Sequence, residues 1–229
     1  MSLQFFPAPL PNKSGVLVVP GGGYGHVSDH KEGLLPALWL NEHGFDAWVL
    51  TYTVASDESR SPIYPAPQRE TVDAVLKIRS QKRVAKLGIW GWSAGGHLSA
   101  ITITNPNVEL DFAILAYPVI SMELGITHTG SRRNLIGDDA PLELETEMSA
   151  HYNITDRTPP VFLFHTANDP DVPVANSLLF AAQLAAHKRP FSLLVLPDGP
   201  HGIGLSLDNT KLTWTRELER WLSTFVVAY

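Results

Sequence analysis

Ser93 lies within the sequence Gly-Trp-Ser-Ala-Gly (91–95), a Gly-x-Ser-x-Gly pattern in which a serine hydroxyl can act as a nucleophile. An apolar run precedes it and small residues typical of a helix follow, which predicts a serine on a tight strand-to-helix turn. Because Gly91 and Gly95 lack Cβ atoms, the strand and the returning helix can pass close to a strained serine backbone. The same turn would aim the N–H of Ala94 at the space in front of the hydroxyl.

A serine nucleophile needs a base, and the base needs a carboxylate that orients it. We expect both on loops that follow later strands of the same sheet. His201 lies in a loop rich in glycine and proline directly after a predicted strand, and it is the predicted base. His97 falls inside the helix after Ser93 and should point away, whereas His165 lies within a strand and should face the core.

Two carboxylates compete for the orienting role, because Asp169 and Asp171 share one loop. Asp169 comes first after its strand, and Pro170 can fix the turn behind it. Asp171 could instead cap the helix that starts near Val174. The spacing favours Asp169 and leaves Asp171 as the alternative.

A glycine-rich segment over 21–25 follows the first apolar strand, and it can turn backbone N–H groups toward a ligand. Acyl transfer needs such donors for the charged oxygen of its tetrahedral intermediate. We predict that Gly22 and Gly23, with Ala94, provide them, and Tyr24 is a further candidate. A phosphate-binding loop is disfavoured because neither Gly-x-Gly-x-x-Gly nor a following Lys-Ser/Thr is present.

Composition excludes several other functions. The 229 residues carry a net charge of −6 without a basic block, which disfavours nucleic acid and anionic membrane surfaces as partners. The absence of cysteine excludes disulfides and thiolate catalysis and fits a cytoplasmic location. No signal peptide or apolar run of membrane-spanning length is visible. His26 and His30 lack the pattern of a metal pair, so no metal or other cofactor is predicted.

Strands and helices alternate along the chain, which predicts an α/β domain with a mostly parallel sheet covered on both faces. The predicted strands cover 15–20, 46–53, 87–92, 112–117, 160–166 and 191–196. The predicted helices cover 32–43, 69–83, 93–104, 174–187 and 209–227, with a loop over 55–67. We expect one domain over 1–229, in which residues 122–158 form an insertion that could serve as a lid or pocket wall.

Four segments together resemble the α/β-hydrolase superfamily, and more closely its small esterase branch of acetyl esterases and acetylxylan-esterase-like proteins. They are Pro-Gly-Gly-Gly-Tyr (20–24), Gly-Trp-Ser-Ala-Gly-Gly-His (91–97), the segment 165–173 and Gly-Pro-His-Gly (199–202). The resemblance implies a Ser93-His201-Asp169 triad and oxyanion donors at Gly22, Gly23 and Ala94.

The chain departs from the resembled proteins in two ways. Pro20 stands where related lipase-like esterases have histidine before the three glycines. The first two antiparallel strands of the superfamily also look absent, so we expect about six strands.

These observations predict a serine carboxylesterase that hydrolyses short-chain, acetyl-type esters through an acyl-enzyme, and by resemblance acetylated sugars. Tyr24, Trp92, Tyr117 and Ile203 are predicted to line the substrate pocket. The alternatives are a peptidase like the prolyl oligopeptidases and a non-catalytic binding protein of the same fold.

Overall fold

Seven strands form one sheet in the computed structural model, which describes residues 1–56 and 61–226. The strands are β1 (Ser2–Phe6), β2 (Ser14–Val19), β3 (Asp46–Thr51), β4 (Lys86–Trp92), β5 (Phe112–Ala116), β6 (Val161–Thr166) and β7 (Phe191–Leu196). Their order in the sheet is β1-β3-β2-β4-β5-β6-β7. Every neighbouring pair is parallel except β1 and β3. The predicted α/β class and mostly parallel sheet are confirmed.

The predicted count of about six strands is one too low, because β1 was not recognised. This strand pairs antiparallel with β3, with Leu3 opposite Leu50, and lies at the edge of the sheet. Most of its residues are exposed or half-buried, so it lacks the continuous apolar run that marks β2. One antiparallel strand is therefore present at the edge where two were expected to be missing.

Seven α-helices are assigned within the described residues: α1 (Leu35–Glu42), α2 (Ala66–Ser80), α3 (Ser93–Thr104), α4 (Thr129–Ile136), α5 (Leu142–Glu147), α6 (Ala175–Ala186) and α7 (Thr215–Phe225). A π-helical turn (His30–Leu34) leads directly into α1. The last helix begins six residues later than predicted, and α4 was not predicted. The predicted loop over 55–67 includes residues 57–60, which lie outside the described residues, as does the predicted helix end at residue 227.

The sheet separates two hydrophobic cores. On one face, α2, α3 and α6 pack with the insertion through apolar side chains such as Val75, Leu98 and Phe180. On the other face, α1 and α7 cover an aromatic cluster in which Trp90 stacks on Trp92 with ring centroids 4.8 Å apart. Both faces bury large apolar areas, which fixes the strands and their carboxyl ends in place.

Alternation along β4 decides which side chains reach each core. Ile89 points into the α3 side, whereas Trp90 and Trp92 point into the aromatic cluster. Gly91 faces α3, where an added β-carbon would overlap Ser99 Oγ and the backbone of Gly95. The close crossing of β4 and α3 therefore depends on the glycine at 91. None of the helices in the described part of the chain has the length and apolar character needed to span a bilayer.

Candidate active site

Ser93 is the first residue of α3 and follows β4 directly. Its φ angle is +51°, a left-handed conformation that is uncommon for a residue with a side chain. Close packing on both sides supports this strain. An added β-carbon at Gly95 would overlap the carbonyl oxygens of Val19 and Pro20, and one at Gly96 would lie 2.7 Å from Pro118 Cβ. The strained strand-to-helix turn predicted from the sequence is therefore present.

The structure brings Ser93, His201 and Asp169 into one hydrogen-bonded series. Ser93 Oγ lies 2.8 Å from His201 Nε2, and His201 Nδ1 lies 2.7 Å from Asp169 Oδ2. With the His201 proton on Nδ1, Nε2 is free to accept the hydroxyl proton of Ser93. This is the geometry of a nucleophile, a base and an orienting carboxylate.

Asp169 rather than Asp171 contacts the imidazole. Its second oxygen, Oδ1, accepts hydrogen bonds of 2.9 Å from the N–H groups of Asp171 and Val172. Burial raises the pKa of this carboxyl, but the hydrogen bond from His201 and the two backbone N–H groups outweigh it and lower the pKa below its usual value. Asp169 therefore stays ionised beside His201.

Asp171 lines the cleft beside the series, and α6 has no side-chain cap at its N-terminus. The alternative role considered for Asp171, capping this helix, is not seen.

The segment 21–25, here called the glycine loop, turns its carbonyl groups into the protein. The Gly21 carbonyl accepts a hydrogen bond from the N–H of Ser28, and the Gly22 carbonyl accepts two, from Gly25 and His26. The Gly23 carbonyl accepts a hydrogen bond of 2.8 Å from Asn134 Nδ2. With the carbonyls held in this way, the N–H groups of Gly22 and Gly23 are left for other partners.

Those N–H groups, and that of Ala94, have no hydrogen-bond partner within residues 1–56 and 61–226. Gly22 and Gly23 line the same cleft as Ser93, and their φ angles are +127° and +62°. Free donors beside a nucleophile are suited to bind an oxygen that becomes negatively charged. Tyr24, whose N–H was the further candidate, is not among the residues that line this cleft, and its hydroxyl is buried against His97.

Glu32 and His128 are among the cleft residues that the sequence analysis did not predict. Glu32, on the π-helical turn, is buried, and its Oε2 accepts a 2.9 Å hydrogen bond from the N–H of Gly21. His128, from the insertion over 122–158, accepts hydrogen bonds at Nδ1 from the N–H and the hydroxyl of Ser131. A charged residue buried in an otherwise helical pattern is the signal that could have identified Glu32. No local pattern marks His128.

The tautomer of His128 follows from these contacts. Since Nδ1 accepts a backbone N–H, neutral His128 carries its proton on Nε2. Burial is the main cause that lowers the pKa of His128, and the nearby His201 lowers it further. The lowered pKa favours the neutral ring. His128 therefore offers the cleft an N–H donor.

The cleft in front of Ser93 has a volume of about 300 Å³. Glycines and residues with polar side chains line it: Gly22, Gly23, His26, Ser28, Lys31, Glu32, Ser93, His128, Asp171, His201 and Gly202.

None of the four predicted pocket residues lines this cleft. Trp92 points into the aromatic cluster because of the alternation along β4, and the Tyr24 hydroxyl bonds His97 on the opposite face of the sheet. Tyr117 is buried, and Ile203 lines a separate, more apolar cavity beside α1.

The two histidines assigned to structural positions are fully buried. His97 lies between the Tyr24 hydroxyl, 2.7 Å from Nδ1, and the Met148 carbonyl. His165 Nδ1 lies 2.7 Å from the hydroxyl of Ser177. Burial lowers the pKa of each to about 4. Among the described residues, no group of three or more histidine, aspartate or glutamate side chains is placed to hold a metal ion.

The sheet, the strained serine at the end of β4 and the loops after β6 and β7 define the α/β-hydrolase fold. The chain belongs to the prolyl oligopeptidase family, whose model matches residues 67–226. The predicted membership of the α/β-hydrolase superfamily, with its esterase branch, is confirmed by this match and by the relatives described next. The glycine loop lies outside the matched residues.

Similar proteins extend over nearly the whole chain. An acetyl ester-xyloside bifunctional hydrolase from Caldicellulosiruptor lactoaceticus has a similar structure, with a TM-score of 0.88, 34% identity, and coverage of 99% of this chain and 89% of that one. Endo-1,4-beta-xylanase B of Butyrivibrio fibrisolvens is 36% identical over 87% of this chain, and an acetylxylan esterase of Xylanibacter ruminicola is 28% identical over 93%. The chain spans only 34% and 46% of the lengths of these last two proteins.

Proposed function

We propose that this protein is a serine carboxylesterase that hydrolyses short-chain esters, acetyl esters above all. Ser93 is the nucleophile, His201 the base, and Asp169 the carboxylate that orients His201. The observation that carries the proposal is the continuous series of hydrogen bonds, 2.8 Å from Ser93 to His201 and 2.7 Å from His201 to Asp169.

In the first half of the proposed reaction, Ser93 Oγ attacks the ester carbonyl carbon while His201 Nε2 takes the hydroxyl proton. The tetrahedral intermediate then breaks its bond to the alcohol oxygen, which leaves with the proton returned by His201. Asp169, with its lowered pKa, remains ionised and stabilises the imidazolium between these two transfers. The product on the enzyme is an ester of Ser93.

In the second half, water attacks the Ser93 ester, and His201 again takes and returns a proton. Both halves place negative charge on the former carbonyl oxygen. The unpaired N–H groups of Gly22, Gly23 and Ala94 are the proposed donors to this oxygen. In other enzymes each such donor is worth about 3–4 kcal/mol of transition-state stabilisation.

The dimensions and polarity of the cleft support a short acyl group on a polar alcohol. About 300 Å³ must hold the acyl group and the first part of the alcohol, and eight of the eleven lining residues carry polar side chains. The Nε2–H of His128 and the side chains of Lys31 and Ser28 can bind hydroxyl groups. Acetylated sugars are therefore the proposed substrates, and the names of the C. lactoaceticus and X. ruminicola relatives support that choice.

A panel of p-nitrophenyl esters from acetate to decanoate tests the proposal. Acetate should be hydrolysed fastest, with kcat/KM falling as the acyl chain lengthens. Ser93→Ala should lose hydrolysis and covalent labelling by a fluorophosphonate, whereas Ser223→Ala, on an exposed surface of α7, should retain both. Faster hydrolysis of the longer esters, or labelling that persists in Ser93→Ala, would contradict the proposal.

A second candidate is a serine peptidase, which the match to the prolyl oligopeptidase family favours. The same triad chemistry would act on an amide. Comparing an acetyl ester with a proline-containing peptide anilide separates the two, because a peptidase would cleave the anilide without preferring the ester. Failure of the fluorophosphonate to label the wild-type protein would instead favour the non-catalytic binding protein.

Several sequence-based expectations remain predictions. They are the cytoplasmic location, the absence of nucleic-acid and membrane partners, the single domain over 1–229, and the role of residues 122–158 as a pocket wall. The position of His128 at the cleft supports the last of these.

A further inference from the structure

Glu32 is a buried carboxyl group that forms no salt bridge within the described residues. It is 4% exposed, and its side chain forms none of the salt bridges found there. Burial raises its pKa, an effect that hydrogen bonds from Tyr117 and Gly21 oppose, as do the nearby His201 and Lys31 to a smaller degree. Burying such a group is costly compared with an apolar or amide side chain of similar size. A contribution to fold stability therefore does not by itself explain why a carboxyl group occupies this position.

The two oxygens of Glu32 join the two loops that the reaction needs. Oε2 accepts the N–H of Gly21, at the start of the glycine loop, at 2.9 Å. Oε1 accepts the hydroxyl of Tyr117 at 2.9 Å, and that hydroxyl accepts the N–H of Gly204 at 3.0 Å. Gly204 lies three residues after His201. A continuous set of hydrogen bonds thus connects the oxyanion donors to the loop of the base.

Tyr117 also contacts the base directly. Its ring meets the His201 ring edge to face, with centroids 5.0 Å apart. The backbone of Tyr117 has φ = +38°, a strained conformation at the carboxyl end of β5. Strain is retained where the surrounding structure fixes it, and here the ring contact with His201 and the hydrogen bonds of the hydroxyl hold the side chain in place.

We propose that Glu32 and Tyr117 are positioning residues that hold the glycine loop and the His201 loop in register for the proposed hydrolysis. Neither residue needs to contact the reacting atoms, because each acts through the hydrogen bonds described above. Misplacement of either loop by a fraction of an ångström would separate the oxyanion donors from the serine and its base. The inference rests on the proposed function.

Glu32→Gln and Tyr117→Phe, with the double variant, test this role. Each single variant should lower kcat on p-nitrophenyl acetate roughly 10- to 100-fold, with KM within about threefold, because loop alignment matters most in the transition state. Fluorophosphonate labelling of Ser93 should slow in parallel. The kcat of the double variant should be only slightly lower than that of the more impaired single variant, since both changes interrupt one series of hydrogen bonds.

The chain offers matched controls for both changes. Glu70 also accepts a backbone N–H on one oxygen and a hydroxyl on the other, both from Thr53, and Tyr64 donates its hydroxyl to Glu147. Glu70→Gln and Tyr64→Phe should keep kcat within about twofold of the wild type.

Four results would overturn the inference: single variants with wild-type kcat, losses confined to KM, additive losses in the double variant, or failure of both single variants to fold. Failure of both to fold would assign the pair to stability alone. A wild-type protein that neither hydrolyses nor labels would overturn the proposed function, and this inference with it.

Discussion

Ser93 Oγ and His201 Nε2 lie 2.8 Å apart although 108 positions separate them in the chain. The serine follows β4 and the histidine follows β7, and both strands end at the same edge of the parallel sheet. Parallel strands bring distant segments to one edge because each crossover returns the chain in the same direction. Any change that shifts either loop by an ångström should therefore impair the chemistry.

Asp169→Asn should reduce kcat about 10⁴-fold, because an amide in that position would favour the wrong tautomer of His201. Asp171→Asn should cost less than about tenfold, since its carboxylate makes no hydrogen bond to the imidazole. Asp156→Asn, on an exposed loop, is the control for removal of a negative charge. The kcat of each variant on p-nitrophenyl acetate tests this prediction. An inactive Asp171→Asn together with an active Asp169→Asn would assign the orienting role to Asp171 instead.

Gly22→Ala should reduce kcat about 100-fold, the loss typical of a displaced oxyanion donor. An added β-carbon would overlap the backbone of His26, so the loop must move. Gly125→Ala is a matched control for backbone strain, because Gly125 also has a positive φ, +89°, but has no neighbour within 4 Å of an added β-carbon. Equal activity losses in both variants would show that strain, rather than loop position, explains the effect.

Asn134→Ala should lower kcat by roughly two- to tenfold, the value of one lost hydrogen bond. Asn134 Nδ2 anchors the Gly23 carbonyl, and without this hydrogen bond the glycine loop that carries the N–H groups of Gly22 and Gly23 is less firmly held. Asn153→Ala removes a similar side-chain hydrogen bond, to the Glu147 carbonyl, at an exposed position. The prediction fails if Asn153→Ala lowers kcat as much as Asn134→Ala does.

The free energy of unfolding should decrease as pH falls from about 6.5 toward 4. Burial lowers the pKa of His97 to about 4, below the ordinary value near 6.5 that applies to the unfolded chain. Between these values the unfolded chain binds more protons, so stability present above pH 6.5 is lost on acidification. His97→Gln should reduce the slope by up to roughly 1.4 kcal/mol per pH unit.

Urea unfolding of the wild type and His97→Gln between pH 7.5 and 4.5 measures this difference. The variant should be less stable at neutral pH, because Gln cannot reproduce both hydrogen bonds of the imidazole. The informative quantity is the slope with pH. Parallel curves for the two proteins would rule out a contribution from His97.

The sequence by itself determined the alternating strands and helices, the turn at Ser93 and the candidate base His201. These features depend on local patterns: apolar runs for buried strands, glycines where backbones approach closely, and a histidine in a turn after a strand. Such patterns predict the structure of a single segment, and the strands and turns of this chain agree with them. Residues Ser93, Asp169 and His201 could therefore be named before their contacts were known.

Only the tertiary structure showed which of Asp169 and Asp171 contacts His201, because the spacing favoured Asp169 but left Asp171 in the same loop as an alternative. It also assigned the cleft to polar residues such as His128, and it placed Tyr117 beneath the site and Trp92 in the aromatic core. The physical reason is that cleft walls and hydrogen-bonded connections such as Glu32 to Tyr117 join residues far apart in the chain. Their energies depend on distance in space, which no spacing along the sequence encodes.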